Sequence, residues 1–189
     1  MNLKRKSKSP YIVFSAPSGT GKTTIVNMLV EKYPEMAISI SATTRKKRDY
    51  ETDGKEYFFL TVEEFKAAIS TGKFLEYEEV HGDYYGTLKE KVEALKNNGK
   101  VVLFDIDVNG AKSIKRNCTE AILIFLKPPG REELINRLKN RNSETDETIS
   151  RRLQRLDYEY EQSADFDHII VNSSLDKTLA EVEQAIFEK

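Results

Sequence analysis

The chain has little of several residue types that build particular classes of site. It contains one cysteine, Cys118, so an internal disulfide is excluded, and we interpret Cys118 as a buried or half-buried thiol rather than a nucleophile. The two histidines, His81 and His168, have no partners at ligand spacing, which argues against a zinc site or a histidine-based triad. No apolar run approaches the ~20 residues that span a bilayer. The formal net charge of −1 gives no overall attraction to nucleic acid or to an anionic membrane.

Length and composition predict one compact domain. The chain has 189 residues, of which 39% are hydrophobic, and this is enough for a core. The start is basic from Lys4 to Lys8, but no hydrophobic signal segment or cleavage site follows it. We therefore expect residues 1–9 to form a frayed, disordered tail and residues 10–189 to form a cytoplasmic domain. Neither nucleic acid nor a membrane is expected as a partner, and the oligomeric state stays open.

A phosphate-binding loop follows the first apolar run of the chain. The segment Ala16-Pro17-Ser18-Gly19-Thr20-Gly21-Lys22-Thr23 matches the P-loop pattern G-x-x-x-x-G-K-[ST] at every position but the first, where Ala16 replaces glycine. It lies between the apolar run Tyr11 to Phe14 and a helical pattern that begins at Thr24. Backbone N–H groups and a helix N-terminus would bind a polyphosphate there, with Lys22 reaching the β- and γ-phosphates and the Thr23 hydroxyl facing Mg²⁺.

Strand and helix patterns alternate along most of the chain. This alternation predicts a doubly wound α/β core at residues 10–40, 88–130 and 162–189. Short strands and turns interrupt it at residues 41–87, which we interpret as an inserted substrate-binding region. Residues 131–161 carry a polar stretch typical of a mobile lid. Two capping boxes, Thr61 to Glu64 and Thr87 to Glu90, predict helix starts.

Acids and arginines recur at positions suited to phosphoryl transfer. Asp105 and Asp107 follow a buried strand, where one carboxylate can serve a Mg²⁺ shell and the other can face an acceptor, although two solvated acids would give the same pattern. Arg45 and Arg48 are suited to bind a second phosphate. Without the P-loop elsewhere in the chain, they would be interpreted as part of a solvated basic loop. The arginines of the lid, Arg137, Arg141 and Arg152, can neutralise a transferring phosphoryl group or can pair with acids on a solvated helix.

Together these motifs resemble the guanylate kinase family of P-loop enzymes, which transfer a phosphoryl group from ATP to GMP. The resemblance runs from about Tyr11 to the C-terminus. The matching segments are Ser15 to Thr23, Ser41 to Arg45 with Arg48, Gly54 to Phe59, Phe74 to Glu76, Tyr84 to Thr87, Asp105 to Asp107, Pro128-Pro129, Arg137 to Arg141, and Val171-Asn172.

The resemblance implies a fold, a reaction and a set of site residues. The fold is a P-loop NTPase core with a doubly wound parallel sheet, an inserted mixed α+β GMP-binding subdomain and a helical lid. The expected reaction is Mg²⁺-dependent conversion of ATP and GMP to ADP and GDP, and the use of dGMP is left open. The ATP-binding positions are Ala16, Pro17, Ser18, Gly19, Thr20, Gly21, Lys22, Thr23, Thr24 and Asn172. The GMP-binding positions are Ser41, Arg45, Arg48, Tyr57, Glu76, Tyr85, Thr87 and Asp107. Thr23 and Asp105 would hold the metal, in the case of Asp105 through water, and Lys22, Arg45, Arg48, Arg137, Arg141 and Arg152 would be catalytic.

Guanine recognition by these residues has a physical basis. The base offers N1–H and an N2 amino group as donors and O6 as an acceptor, so carboxylates should meet the donors and a hydroxyl should meet O6. Thr87 is then expected both to read the base and to cap a helix. Two loop positions depart from the family pattern, because Lys47 replaces proline and Tyr50 replaces glycine.

Three other functions remain as alternatives. The first is an inactive guanylate-kinase-like module that binds phosphopeptides, and such modules generally lose the P-loop lysine. The second is a GTPase, which would need an Asn-Lys-x-Asp motif that this sequence lacks. The third is another nucleoside monophosphate kinase, against which Glu76, Thr87 and Asp107 argue.

Overall fold

A computed structural model of the chain describes residues 5–80, 82–139 and 155–188, apart from the side chains of residues 136–139. The strands are β1 (Tyr11–Ser15), β2 (Met36–Ile38), β3 (Ala42–Thr43), β4 (Phe58–Phe59), β5 (Phe74–Val80), β6 (Asp83–Leu88), β7 (Val101–Asp105), β8 (Ile122–Lys127) and β9 (His168–Val171). The helices are α1 (Lys22–Lys32), α2 (Val62–Ser70), α3 (Lys89–Asn97), α4 (Val108–Asn117), α5 (Arg131–Lys139), α6 at residues 155–162, and α7 (Leu175–Ile186).

Five parallel strands form the central sheet in the order β2-β7-β1-β8-β9. Strands β2 and β7 lie on one side of the central strand β1, and strands β8 and β9, which come later in the chain, lie on the other side. The predicted doubly wound α/β core is therefore confirmed. Such a reversal of strand order opens a crevice at the carboxyl ends of the strands, where ligands bind in folds of this class.

Alternating side chains of the central strands supply two apolar layers. Ile12 and Phe14 of β1 pack on one face with residues of α1 and α7, whereas Tyr11 and Val13 pack on the other with residues of α3 and α4. All five residues of β1 are buried. Burial on both faces explains why β1 reads as a continuous apolar run rather than an alternating one.

A second sheet lies within residues 42–88, where the sequence predicted an insertion. Its order is β4-β3-β6-β5, with one parallel pair and two antiparallel pairs. Helix α2 covers it through Phe65, whose ring stacks on Phe74 at a centroid distance of 4.3 Å. The predicted capping box at Thr61 starts this helix, because the Thr61 hydroxyl accepts from Glu64 N–H and the Glu64 carboxylate accepts from Thr61 N–H.

The second predicted capping box is wrong. The N-cap of α3 is Leu88, and no side chain caps that helix. Thr87 instead belongs to β6, where its hydroxyl donates to Glu76 across the β5–β6 pair. Strand pairing thus takes the hydroxyl that the sequence pattern offered to the helix, and the expected competition between capping and base recognition does not arise.

Residues 5–9 differ from the frayed tail that the sequence suggested. Ser7 forms an antiparallel bridge with Phe187, and Lys8 N–H donates to the Ile186 carbonyl at 2.8 Å. Arg5 lies 3.5 Å from the Glu183 carboxylate. The basic residues are therefore paired with the C-terminal helix end, which favours cations. Among the described residues, no helix has the length and apolar character needed to cross a membrane.

Candidate active site

The loop between β1 and α1 has the geometry of an anion site. Gly19 and Gly21 adopt φ angles of 88° and 93°, which only glycine adopts without strain. Gly21 is the N-cap of α1, and Lys22 is the first residue of that helix. The N–H groups of the first helical turn have no intrahelical acceptor, so they and the helix dipole favour a bound phosphate here.

A compact polar cluster joins this loop to the end of β7. Because β1 and β7 are paired, Asp105 reaches the start of α1. The Lys22 ammonium lies 2.7 Å from Asp105 Oδ1 and donates to the Ile106 carbonyl at 2.8 Å. The Thr23 hydroxyl donates to Asp105 Oδ2 at 2.9 Å. A hydroxyl and a carboxylate beside a phosphate loop are oxygen ligands of the kind that Mg²⁺ prefers, so the predicted metal positions fit the ion.

Asn172 supports the loop from behind. It is 3% exposed, and its amide donates to the Thr20 carbonyl at 2.6 Å while its oxygen accepts from the Thr178 hydroxyl at 2.9 Å. The Thr20 side chain is fully buried as well. Of these two predicted ATP-binding residues, Asn172 holds the backbone of the loop in place, and Thr20 supplies the carbonyl that Asn172 binds.

Glu76 and Thr87 form a half-buried pair at the second sheet. They are register partners in β5 and β6, and the Thr87 hydroxyl donates to Glu76 Oε1 at 2.5 Å. Burial raises the pKa of the Glu76 carboxyl to about 7, with a smaller contribution from the negative charge of Asp107, although the Thr87 hydrogen bond opposes the shift. Glu76 therefore keeps its proton up to about pH 7.

Asp107 is the N-cap of α4 and faces the same space. Its Oδ1 accepts from Gly110 N–H at 2.8 Å, and its Oδ2 lies 2.9 Å from Arg155 of α6. Burial would raise the pKa of Asp107, but hydrogen bonds from Glu78 and Gly110 and the charge of Arg155 outweigh it and hold the pKa below its ordinary value. The hydrogen bond to Asp107 and burial raise the pKa of Glu78 to about 7. The two carboxyl groups therefore titrate as a pair.

A buried carboxylate orders the arginine loop. Glu51 is 5% exposed and binds Arg45 through two hydrogen bonds of 2.6 and 3.1 Å. It also accepts from Arg48 N–H at 2.8 Å. These bonds, that of Arg45 foremost, hold the pKa of Glu51 below its ordinary value. The Arg45 guanidinium lies over the Tyr57 ring at 5.4 Å.

Lys47 and Tyr50, the two residues that depart from the family pattern, also make hydrogen bonds within this loop. The Lys47 ammonium donates to the Glu51 carbonyl at 2.9 Å, and the Tyr50 hydroxyl accepts from the Arg48 guanidinium at 2.8 Å. Tyr50 is 74% exposed. The residues that depart from the family pattern thus bind the backbone and one arginine of the loop.

One cavity of about 250 Å³ collects most of the predicted GMP-binding residues. It brings together residues of the second sheet, residues that precede its strands β3 and β4, and residues at the carboxyl end of β7, namely Ser41, Tyr57, Glu76, Tyr85, Asp105 and Asp107. Arg45 adjoins it through Tyr57, and Thr87 through Glu76. The side chain of Arg137, on α5, and the whole of Arg141 and Arg152 lie outside the described residues.

Three residues at this site were not singled out from the sequence. Glu78 lines the cavity and follows Glu76 by two positions on a strand, so their shared face was a readable signal. Glu51 stands three residues after Arg48, which hinted at a loop ion pair. Arg155 gave no comparable signal, because its contact with Asp107 joins residues 48 positions apart.

Comparison with known proteins adds an independent finding. The sequence model of the family described as Guanylate kinase matches residues 8–189. A guanylate kinase of Bacteroides thetaiotaomicron is 48% identical over 179 residues, which cover 94% of this chain and 88% of that protein. A guanylate kinase of Rickettsia felis is 44% identical over 181 residues, covering 96% of this chain and 94% of that protein. A crystal structure of guanylate kinase from Anaplasma phagocytophilum matches with a TM-score of 0.73 and 30% identity, and the match covers 95% of this chain and 85% of that one.

Proposed function

This chain belongs to the guanylate kinase family, and we propose that it transfers the γ-phosphoryl group of ATP to GMP, giving ADP and GDP. The observation that carries the proposal is a cavity lined both by Asp105, which pairs with Lys22, and by the Glu76, Asp107 and Tyr57 side chains. A donor phosphate on the loop and an acceptor nucleotide in the cavity would meet between them. The reaction needs no covalent enzyme intermediate, because positioning and charge stabilisation suffice for phosphoryl transfer.

On the donor side, the loop amides and Lys22 would bind the β- and γ-phosphates of ATP. Lys22 is already oriented by Asp105 and the Ile106 carbonyl, so little ordering is needed when the nucleotide binds. Thr23 and Asp105 would hold Mg²⁺, in the case of Asp105 directly or through water. The ion, when bound, neutralises charge on the phosphate oxygens.

On the acceptor side, the GMP phosphate would bind among Ser41, Arg45, Arg48, Tyr57 and Tyr85. Guanidinium groups and hydroxyls suit a dianionic phosphate. The bidentate pair of Arg45 with Glu51 holds the guanidinium in one orientation before the substrate arrives. Glu51 is thus proposed as a positioning residue for the phosphate site.

Guanine recognition would involve an exchange of hydrogen bonds at Glu76. The Thr87 hydroxyl has one proton, which it donates to Glu76 in the structure. When guanine binds, its N1–H would donate to Glu76, and Thr87 would turn its proton to O6. Asp107 would accept from the N2 amino group. Adenine has an acceptor at N1 and would leave the half-buried carboxylate unpaired.

The transfer step itself would draw on arginines from two regions. Arg45, Arg137 and Arg152, assisted by Arg48 and Arg141, would spread the charge that develops on the transferred group. Closure of residues 41–87 and of the lid at 131–161 would exclude water as a competing acceptor. These roles, the cytoplasmic location and the absence of a nucleic-acid partner stay predictions.

The test is an assay of ADP release with Mg·ATP and one monophosphate at a time: GMP, dGMP, AMP, UMP or dTMP. Rapid release with GMP, alone or together with dGMP, is expected. Release with another monophosphate in place of GMP would contradict the base assignment. No release with any of them would favour the phosphopeptide-binding module, although the retained Lys22 and Thr23 argue against that alternative.

A further inference from the structure

Two residues that were not among the predicted site residues contact Asp107. Resting on the proposed function, we infer that Arg155 of α6 and Glu78 of β5 are positioning residues that fix Asp107 as a hydrogen-bond acceptor for the 2-amino group of the acceptor purine. They would thereby set the preference of the enzyme for guanine over hypoxanthine, the otherwise identical base without that amino group. Both residues line the cavity, as Asp107 does.

The geometry around Asp107 carries the inference. Three elements hold this one carboxylate: Gly110 of α4 donates to Oδ1 at 2.8 Å, Arg155 of α6 lies 2.9 Å from Oδ2, and Glu78 of β5 shares a hydrogen bond with it. An N-cap aspartate needs only the first of these contacts. The other two come from separate parts of the chain and reach the carboxylate on its cavity side.

Arg155 and Glu78 are themselves held in place. The Arg155 guanidinium donates through Nε to Glu159 Oε1 at 3.1 Å, and Glu159 is 7% exposed. The Asn109 amide donates to Glu78 Oε1 at 3.3 Å, and Asn109 Oδ1 accepts from the Tyr158 hydroxyl at 2.7 Å. Helix α6 is therefore tied to the cavity at two points.

The charged groups around Asp107 fit this role. Among the described groups, the Arg155 guanidinium faces Oδ2, and Lys22 is a more distant positive charge. Glu76, Glu78 and Glu159 are the other acids nearby. A guanidinium that binds one carboxylate oxygen fixes the orientation of the carboxylate.

These contacts are expected to affect the choice between GMP and IMP rather than the stability of the fold. An Asp107 carboxylate fixed in this orientation favours a base that carries a 2-amino donor, and it is left as an unpaired, desolvated acceptor when the donor is missing. Without Arg155 or Glu78, the carboxylate can turn away from this orientation. The advantage of GMP over IMP then shrinks, whereas binding of ATP at the phosphate loop is unaffected.

The experiment measures kcat/KM for GMP and for IMP, together with the KM for ATP, in matched variants. Arg155→Met and Glu78→Ala should each lower the GMP/IMP ratio by about three- to tenfold and leave the KM for ATP within about twofold. Glu78→Gln should keep the ratio, because its amide can still donate to Asp107, and Arg155→Lys should restore part of it. Arg131→Gln, which breaks the exposed pair of Arg131 with Asp157, and Glu79→Ala, which removes an exposed acid of β5, are the controls.

An unchanged GMP/IMP ratio in both Arg155→Met and Glu78→Ala would overturn the inference, as would an equal loss of ATP and GMP binding. If one variant does not fold, the ratio in the other decides. Failure of the proposed function is a separate result, because it would appear in the unmodified chain as an absence of turnover with GMP.

Discussion

Replacing Glu76 by glutamine is expected to stabilise the fold and to impair the acceptor site. The substitution is nearly isosteric, and the new side-chain oxygen can still accept from the Thr87 hydroxyl, which donates to Glu76 Oε1 at 2.5 Å. The change therefore removes a titratable group and little else. Its effect on stability follows from burial of that group, and its effect on activity follows from loss of the charge that would meet guanine N1–H.

The size of the stability effect can be worked from the two pKa values. The pKa of Glu76 is about 7 in the folded chain, mainly because the carboxyl is buried, against an ordinary value of 4.5. Between these two values the folded state keeps a proton that the unfolded state has lost, so stability falls as pH rises from about 4.5 to about 7. At ~1.4 kcal/mol for each pH unit, the loss above pH 7 is about 3 kcal/mol. Glutamine does not titrate, so the variant escapes this loss.

Urea unfolding without nucleotide, at about pH 5 and about pH 8, measures the difference. The variant and the unmodified chain should be similarly stable at the lower pH, and the variant should be more stable by about 2–3 kcal/mol at the higher one. Glu79→Gln, an exposed change on the same strand, is the control. A difference of the same size at both pH values, or none at pH 8, would refute the assignment of the stability loss to burial of this carboxyl. In the ADP-release assay the same variant should lose preference for GMP while the KM for ATP stays nearly constant.

Three further substitutions test other parts of the structure. Lys22→Ala should lower turnover by about a hundredfold or more with the fold retained, and near-normal turnover would contradict its role at the phosphates. Asn172→Ala leaves the Thr20 carbonyl without its buried donor, so it should lower the free energy of unfolding by about 1–3 kcal/mol and raise the KM for ATP. Unchanged unfolding and unchanged ATP binding would show that the loop keeps its conformation without Asn172. Thr61→Ala removes the capping box of α2 and should cost about 1 kcal/mol in chemical denaturation. Thr71→Ala, which removes a hydroxyl that donates to the Ala67 carbonyl at the other end of the helix, is the comparison.

Local sequence patterns predicted most of the framework. The apolar run Tyr11 to Phe14, followed by the glycine-lysine-threonine loop, predicted the strand, the phosphate loop and α1, because each depends on neighbours in sequence. The Thr61 capping box was correct for the same reason. The identical pattern at Thr87 failed, since the hydroxyl found a better partner, Glu76, on the adjacent strand. A capping pattern shows only that a hydroxyl can cap a nearby helix, and the pairing of β5 with β6 gives the Thr87 hydroxyl a different partner.

The candidate site was predictable as a set of residues but not as an arrangement. The sequence contained Arg45 and Arg48, and only the fold revealed that Glu51 is buried and holds both. The side chains that line the cavity come from β5, β6, the end of β7 and α6, together with Ser41 and Tyr57, and their proximity depends on how those elements pack.

The sequence by itself determined the phosphate loop, the alternation of strands and helices, and the chemical types of the groups at the site. Those features follow from local geometry and periodicity, which a chain carries wherever it folds. Only the tertiary structure decided the pKa values of the carboxyl groups at the acceptor site. The pKa of Glu76 rises because neighbours exclude water, and that of Asp107 falls because Glu78 and Arg155 approach it from other elements. Desolvation and charge proximity are properties of packed surfaces, so no spacing of residues along the chain could have specified them.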